Sequence, residues 1–261
     1  METFDFGGGP VPAHRHTNPD GALGGWVANT ASVADTATVG KKARVYGSAQ
    51  ISGYAQVFET AQVSDKARIS GKAQVFGNAW VAGNAQVFGS AQISGNAIVS
   101  TDAKVFDNAK VLGSANIFGN SEVLDNANVY GDSQVFGDSQ VFGDSQVFGD
   151  SQVFDNAQVF DNAQVFDNAQ VFDNAQIFGE AKVSGNAKVF GSAKVFDNAK
   201  VLGSANIFGN SEVFGNANVY GDVHNAKVFG NACVSSFATL SGEAQTSGTL
   251  PDCPEPSVLG W

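Results

Sequence analysis

Residues 133–176 read SQVFGDSQVFGDSQVFGDSQVFDNAQVFDNAQVFDNAQVFDNAQ, a six-residue unit copied with almost no change. Valine recurs at every sixth position, from Val135 through Val141 and Val147 to Val171. Two residues before each valine stands a small residue, Ser133 or Ser139 and later Ala157 or Ala163. The period holds outward in both directions: 33 consecutive positions from Val27 to Val219 are all Val or Ile. The general unit is A-x-V-x-G-N, as in residues 73–78.

A small residue and a branched aliphatic two positions apart point to the same side of a strand. Val and Ile favour strands, whereas Gly, Asn and Asp favour turns. Gly and Asn also tolerate the left-handed conformation that a tight corner needs. Each hexad is therefore expected to be a short strand followed by a bend. A six-residue apolar period drifts around a helix of about 3.6 residues per turn, which excludes helices. A sandwich fits poorly, because its strands are longer and its turns less regular. One Ala and one Val cannot bury themselves, so each hexad must stack on its equivalent one turn earlier. Residues 104–132 recur at 194–222 with only Leu124 and Asp125 changed, to Phe214 and Gly215. That offset of 90 residues suits coils of three hexads, although other multiples of six also divide it.

These hexads resemble the left-handed parallel β-helix superfamily, the hexapeptide-repeat proteins, over roughly residues 25–245. The resemblance implies triangular coils of three hexads, and it alone supplies the left-handed winding, since the general crossover rule favours the right hand. The expected fold is an all-β, single-stranded left-handed parallel β-helix of about 11–12 coils, about 53 Å long for eleven at the usual strand spacing. Residues 1–26, with Gly7–Gly9, Pro10, Pro12, His14 and His16, read as an arm and cap over the open end. Residues 27–245 form the β-helix, and residues 246–261 an irregular tail with Pro251, Pro254 and Pro256. The frame slips near residues 222–227: the core position after Val219 is Val228, nine residues on.

Composition bounds the partners. The formal net charge of −11 argues against phosphate backbones and anionic membrane surfaces. No run of about 18 apolar residues exists to span a bilayer. Residues 1–9 lack the features of a secretory signal, which leaves the cytoplasm as the default compartment. Cys233 and Cys253, the sole cysteines, read as two free thiols or as one clip on the tail. His14-x-His16 has no further ligand cluster nearby in sequence, so capping is favoured over metal binding. No cofactor is expected.

The residue after each core aliphatic should face outward. Under three-hexad coils, Phe118, Phe136, Phe154, Phe172, Phe190 and Phe208 form one ladder of rings. Phe142, Phe160, Phe178, Phe196 and Phe214 form a second beyond Leu124, which Phe88 and Phe106 precede. A third includes Tyr130, Phe148 and Phe166, and Gln134, Gln152 and Gln170 form an amide ladder. The rings either shelter one another or serve self-association, since long apolar ridges exceed what a soluble monomer usually exposes. Corner carboxylates such as Asp132 and Asp150, or Asp155 and Asp173, repel by about 0.8 kcal/mol at about 5 Å in water. They read as solvated corners, with calcium as the alternative.

Uniform hexads offer no set of converging, differing groups, so a non-catalytic rod, spacer, fibre component or assembly scaffold is the leading reading. The alternative comes from the resemblance: many members transfer acyl groups from coenzyme A as trimers, with a histidine general base. His224, at the frame slip, is the one candidate for that role. A third reading, ice or polysaccharide binding on a flat face, suffers from the scarcity of Thr between Thr60 and Thr239.

Overall fold

Each hexad begins with a buried small residue and ends in a bend, and between them the chain makes a strand two residues long, such as Gln134–Val135 or Gln158–Val159. The structure, a computed structural model, describes residues 2–221, 227–230, 232–234, 239–241 and 245–247. Strands pair in parallel with those one coil away at an offset of 18 residues: Gln134 with Gln152, Gln140 with Gln158, Gln146 with Gln164. Three parallel sheets result, and the chain visits them in rotation, giving a triangular β-solenoid. Face 1 carries Arg44–Val45 through Lys227–Phe229, face 2 Ser32–Val33 through Cys233–Val234, and face 3 Thr38–Val39 through Thr239–Ser241. The expected three hexads per coil are thus found, and the 90-residue duplication spans five whole coils.

The interior is a column of aliphatics. Val135, Val141, Ala157 and their equivalents in the middle coils are 0% exposed. Ser133, Ser139, Ser145 and Ser151 take alanine positions and are equally buried. Their hydroxyls donate to backbone carbonyls, as Ser139 does to Phe136 at 2.8 Å. A buried hydroxyl without such a partner is costly, and among the described residues no buried side-chain polar atom lacks one.

From Gly47 to Gly215 the first corner residue always lies in the left-handed region, φ +55° to +77°. Glycine usually holds it, and Asp at positions such as Asp155 and Asp161. Asn was expected to share this duty, but among the described residues no Asn has positive φ. It takes the second corner position, where its side chain reaches the next coil, as Asn108 Nδ2 does to Asn126 Oδ1 at 3.2 Å.

Residues 2–28 form an antiparallel meander of β1 (Thr3–Asp5), β2 (Pro10–Thr17) and β3 (Leu23–Ala28). Strand β3 joins face 1 by pairing in parallel with Arg44–Val45, and β2 pairs antiparallel with β3. The first coil's edge on face 1 is thereby covered, as open sheet edges require. Asn18 copies a strand on face 3, accepting from the Val39 N–H at 2.8 Å and donating to the Val39 carbonyl at 3.2 Å. Gly25 stands where later coils have alanine, because a Cβ there would collide with the Ala43 carbonyl. At the other end the frame slip leaves the stack intact: Ile207 pairs with Val228, and Val213 with Val234, at an offset of 21. One further strand, Gln245–Ser247, pairs with Lys227–Phe229 in the region read from sequence as the end of the pattern.

Candidate interaction surface

Along a hexad such as Ser139-Gln-Val-Phe142 the side chains alternate inward and outward, so each face shows two outward columns. The residue before the core aliphatic makes an amide-rich column, and the residue after it makes a ring column. On face 1 the rings of Phe118, Phe136, Phe154, Phe172, Phe190 and Phe208 stack with centroids 4.8–5.0 Å apart and interplanar angles of 1–7°. Phe229 extends this ladder at 5.3 Å. It was missed in the sequence because the slip sets it 21 residues beyond Phe208, although its Val228–Phe229 pair keeps the motif. On face 2, Phe142, Phe160, Phe178, Phe196 and Phe214 stack at 4.8–4.9 Å. Tyr130, Phe148 and Phe166 stack on face 3 at 4.9 Å.

These rings are half-buried, and none is among the exposed large hydrophobics Val11, Leu23, Tyr54, Trp80 and Tyr220. Each ring covers the faces of its neighbours and leaves mainly its edge to water. It also lies beside the amide column: the Tyr46 hydroxyl sits 3.3 Å from Gln62 Oε1, and the Tyr130 hydroxyl 3.5 Å from Gln146 Oε1. Burial pushes the Tyr130 phenol up from its ordinary value. At the cap, Phe4 stacks on Trp26 and Phe6 on Tyr46, so β1 covers the first rungs of face 1. Beneath its Gly7–Gly9 turn, Phe6, Val11, Pro12 and Tyr46 line an apolar recess of about 480 Å³. Asp5 accepts from the Gly7 and Gly9 N–H groups at 2.7 and 2.9 Å, which holds its carboxyl below the usual value.

The amide column of face 2 is a directed chain. Gln176 donates to Gln158 at 2.8 Å, Gln158 to Gln140 at 2.9 Å, and Gln140 to Glu122 at 3.2 Å. Lys104 meets the same carboxylate at 2.8 Å, and the duplicated pair, Lys194 and Glu212, lies 3.7 Å apart further along. On face 1, Gln170 donates to Gln152 at 2.9 Å and Gln152 to Gln134 at 3.5 Å.

Corner carboxylates do more than face solvent. Asp125, Asp161 and Asp173 accept the N–H of the residue 18 positions on, Gly143, Gly179 and Gly191, at 2.9–3.1 Å. Asp155 accepts from the Asp173 amide at 3.4 Å. This role was not legible in sequence, because it depends on which corner follows one coil later. No cluster of three or more potential metal ligands occurs among the described residues. His14 Nδ1 lies 2.9 Å from Asn29 Oδ1, whereas buried His16 meets the Ala37 carbonyl through Nε2 at 3.0 Å, so the two rings serve separate contacts. Cys233 is disulfide-bonded, which corrects the reading of two free thiols. Cys253, His224 and Trp261 lie outside the described residues.

Among the described residues, no helix is long and apolar enough to cross a membrane. A family model described as the YdcK beta solenoid repeat matches residues 91–105. No curated protein matches the chain.

Proposed function

Because the chain is a β-solenoid repeat protein, we propose that it is a non-catalytic structural rod or spacer that associates with further copies of itself through its ladder-lined faces. The observation that carries this reading is the continuity of those faces. From Val27 to Val219 no insertion interrupts the hexads, and the ring centroids of neighbouring coils stay 4.9 Å apart, close to the strand spacing itself, which leaves little sideways displacement from coil to coil. Sheets normally twist from strand to strand; flat ones are usually held by stacking or side-chain ladders. An untwisted rod presents the same outline along its whole length, which suits side-by-side packing better than the capture of a small molecule.

Sedimentation velocity over a concentration series, with negative-stain imaging, tests this. The expected result is concentration-dependent dimers or bundles of rods, reduced when Phe142, Phe160 and Phe178 are changed to Ser in a chain that keeps its strand circular-dichroism spectrum. A wild-type protein that stays a monomeric rod at every accessible concentration would refute the reading.

A further inference from the structure

The outward column of face 2 runs Lys104, Glu122, Gln140, Gln158, Gln176, Lys194, Glu212, one residue per coil. Read backwards, it presents a carboxylate wherever the forward order has a lysine, and a lysine wherever it has a carboxylate. The cause is the 90-residue duplication: an ion pair repeated in one orientation becomes complementary to itself on reversal. We infer that a second copy of this chain docks on face 2 in antiparallel orientation, about a two-fold axis that follows the strand direction through the Gln158 rung. This rests on the self-association proposed above and names its face, partner and register.

Such an axis keeps each column over the same column of the partner. Lys104 then faces the partner's Glu212 and Glu122 faces the partner's Lys194. Since Lys104–Glu122 and Lys194–Glu212 are already ion pairs within one chain, each end of the interface becomes an alternating quartet of charges. Gln158 meets its own copy, and Phe160 does likewise in the ring column. Rungs from Gln86 to Cys233 overlap, nine coils in all. At about 4.8 Å per coil and one hexad of width, the contact is about 43 by 16 Å, near the ~800 Å² per partner of a standard interface.

The other faces lack this property. The outward column of face 1 carries Arg44, Lys188 and Lys227 with no carboxylate, and that of face 3 carries Lys110, Lys182 and Lys200 with none. Reversal there sets cations against neutral groups or other cations. Charge pattern selects face and register more strongly than it adds affinity, and ring ladders alone, present on all three faces, select neither.

Sedimentation of three variants against the wild type tests the inference, with circular dichroism confirming that each is folded. Within the overlapping rungs, Glu122→Lys/Glu212→Lys makes the column's charges all positive, and Lys104→Glu/Lys194→Glu makes them all negative. Each alone should dimerise at least about ten-fold more weakly than wild type, yet an equimolar mixture should form heterodimers. The fourfold exchange Lys104→Glu/Glu122→Lys/Lys194→Glu/Glu212→Lys keeps the intrachain pairs and the self-complementarity, and should dimerise as wild type does. Double variants that dimerise normally, or a mixture that fails to pair, overturn the inference and leave self-association through another face standing. A wild type that never associates overturns both.

Discussion

Asp161 performs two tasks at one corner. Its backbone adopts φ +58°, and its carboxylate accepts the Gly179 N–H of the next coil at 3.1 Å. Gly at this site loses the bond but gains conformational ease; Ala loses the bond and keeps the left-handed strain. Asp161→Gly is therefore expected to be near-neutral, and Asp161→Ala to cost about 1–2 kcal/mol in a denaturant-unfolding midpoint. Equal stability of the two variants would contradict this account of the corner. Tyr130 offers a pH-dependent test. Burial raises its phenol pKa, so its contribution is complete below the ordinary value of 10.0 and is lost as pH rises through the higher folded value. Unfolding midpoints measured across that alkaline range should fall more steeply for wild type than for Tyr130→Phe. The corner preference for Gly and Asp was visible in the sequence, but its division of labour was not. From Gly47 to Gly215 the left-handed conformation falls at the first corner position of every hexad, and Asn, eligible by its own chemistry, stands second and is used for the amide ladder instead.

The hexad is the element, and three of them form the smallest unit that closes. Deleting residues 133–150 removes one complete coil and leaves every column in register. The shortened chain should fold with an unchanged circular-dichroism shape and a rod shorter by about 4.8 Å in small-angle scattering. Deleting residues 133–135 alone removes a core valine and half a hexad, so no strand can be completed between two corners. That variant should show a markedly lower unfolding midpoint, because stability in a stacked array runs through nearest-neighbour interfaces. Equal tolerance of both deletions would contradict the coil as the folding unit. The hexads and the frame slip were legible, since they rest on a period in Val and Ile that nothing else explains; the coil size came from the family resemblance, with a 90-residue offset that suited it without fixing it. The meander of β1 to β3 was not, for its strands carry no such period and are held by specific bonds, such as Asn18 to Val39. The strand Gln245–Ser247 escaped too, because Thr246 stands where the pattern supplies an aliphatic.

At the scale of the molecule, an aliphatic column is wrapped in ladders and edged with carboxylates. In the antiparallel pair on face 2, corner acids meet across one rim, Asp125 near the partner's Asp197, while the lysine–carboxylate quartets lie between the faces. The net charge of −11 also opposes contact. Raising ionic strength from about 0.01 M to about 0.15 M shortens the screening length from about 30 to about 8 Å, and buried pairs are screened less than exposed rims. Association measured by sedimentation should therefore strengthen over that range; weakening would contradict this balance of charges. All of this depends on coils of 18 residues. Adjacent parallel strands lie about 4.8 Å apart, within the Cα separation a disulfide bridges. The most direct test replaces Gln152 and Gln170 by Cys in one chain, and Gln152 and Gln164 in another. Mild oxidation should cross-link the first pair within the monomer and leave the second open, because Gln152 and Gln164 lie on different faces. Cross-linking of the second pair in preference to the first would contradict the stacked triangular coil.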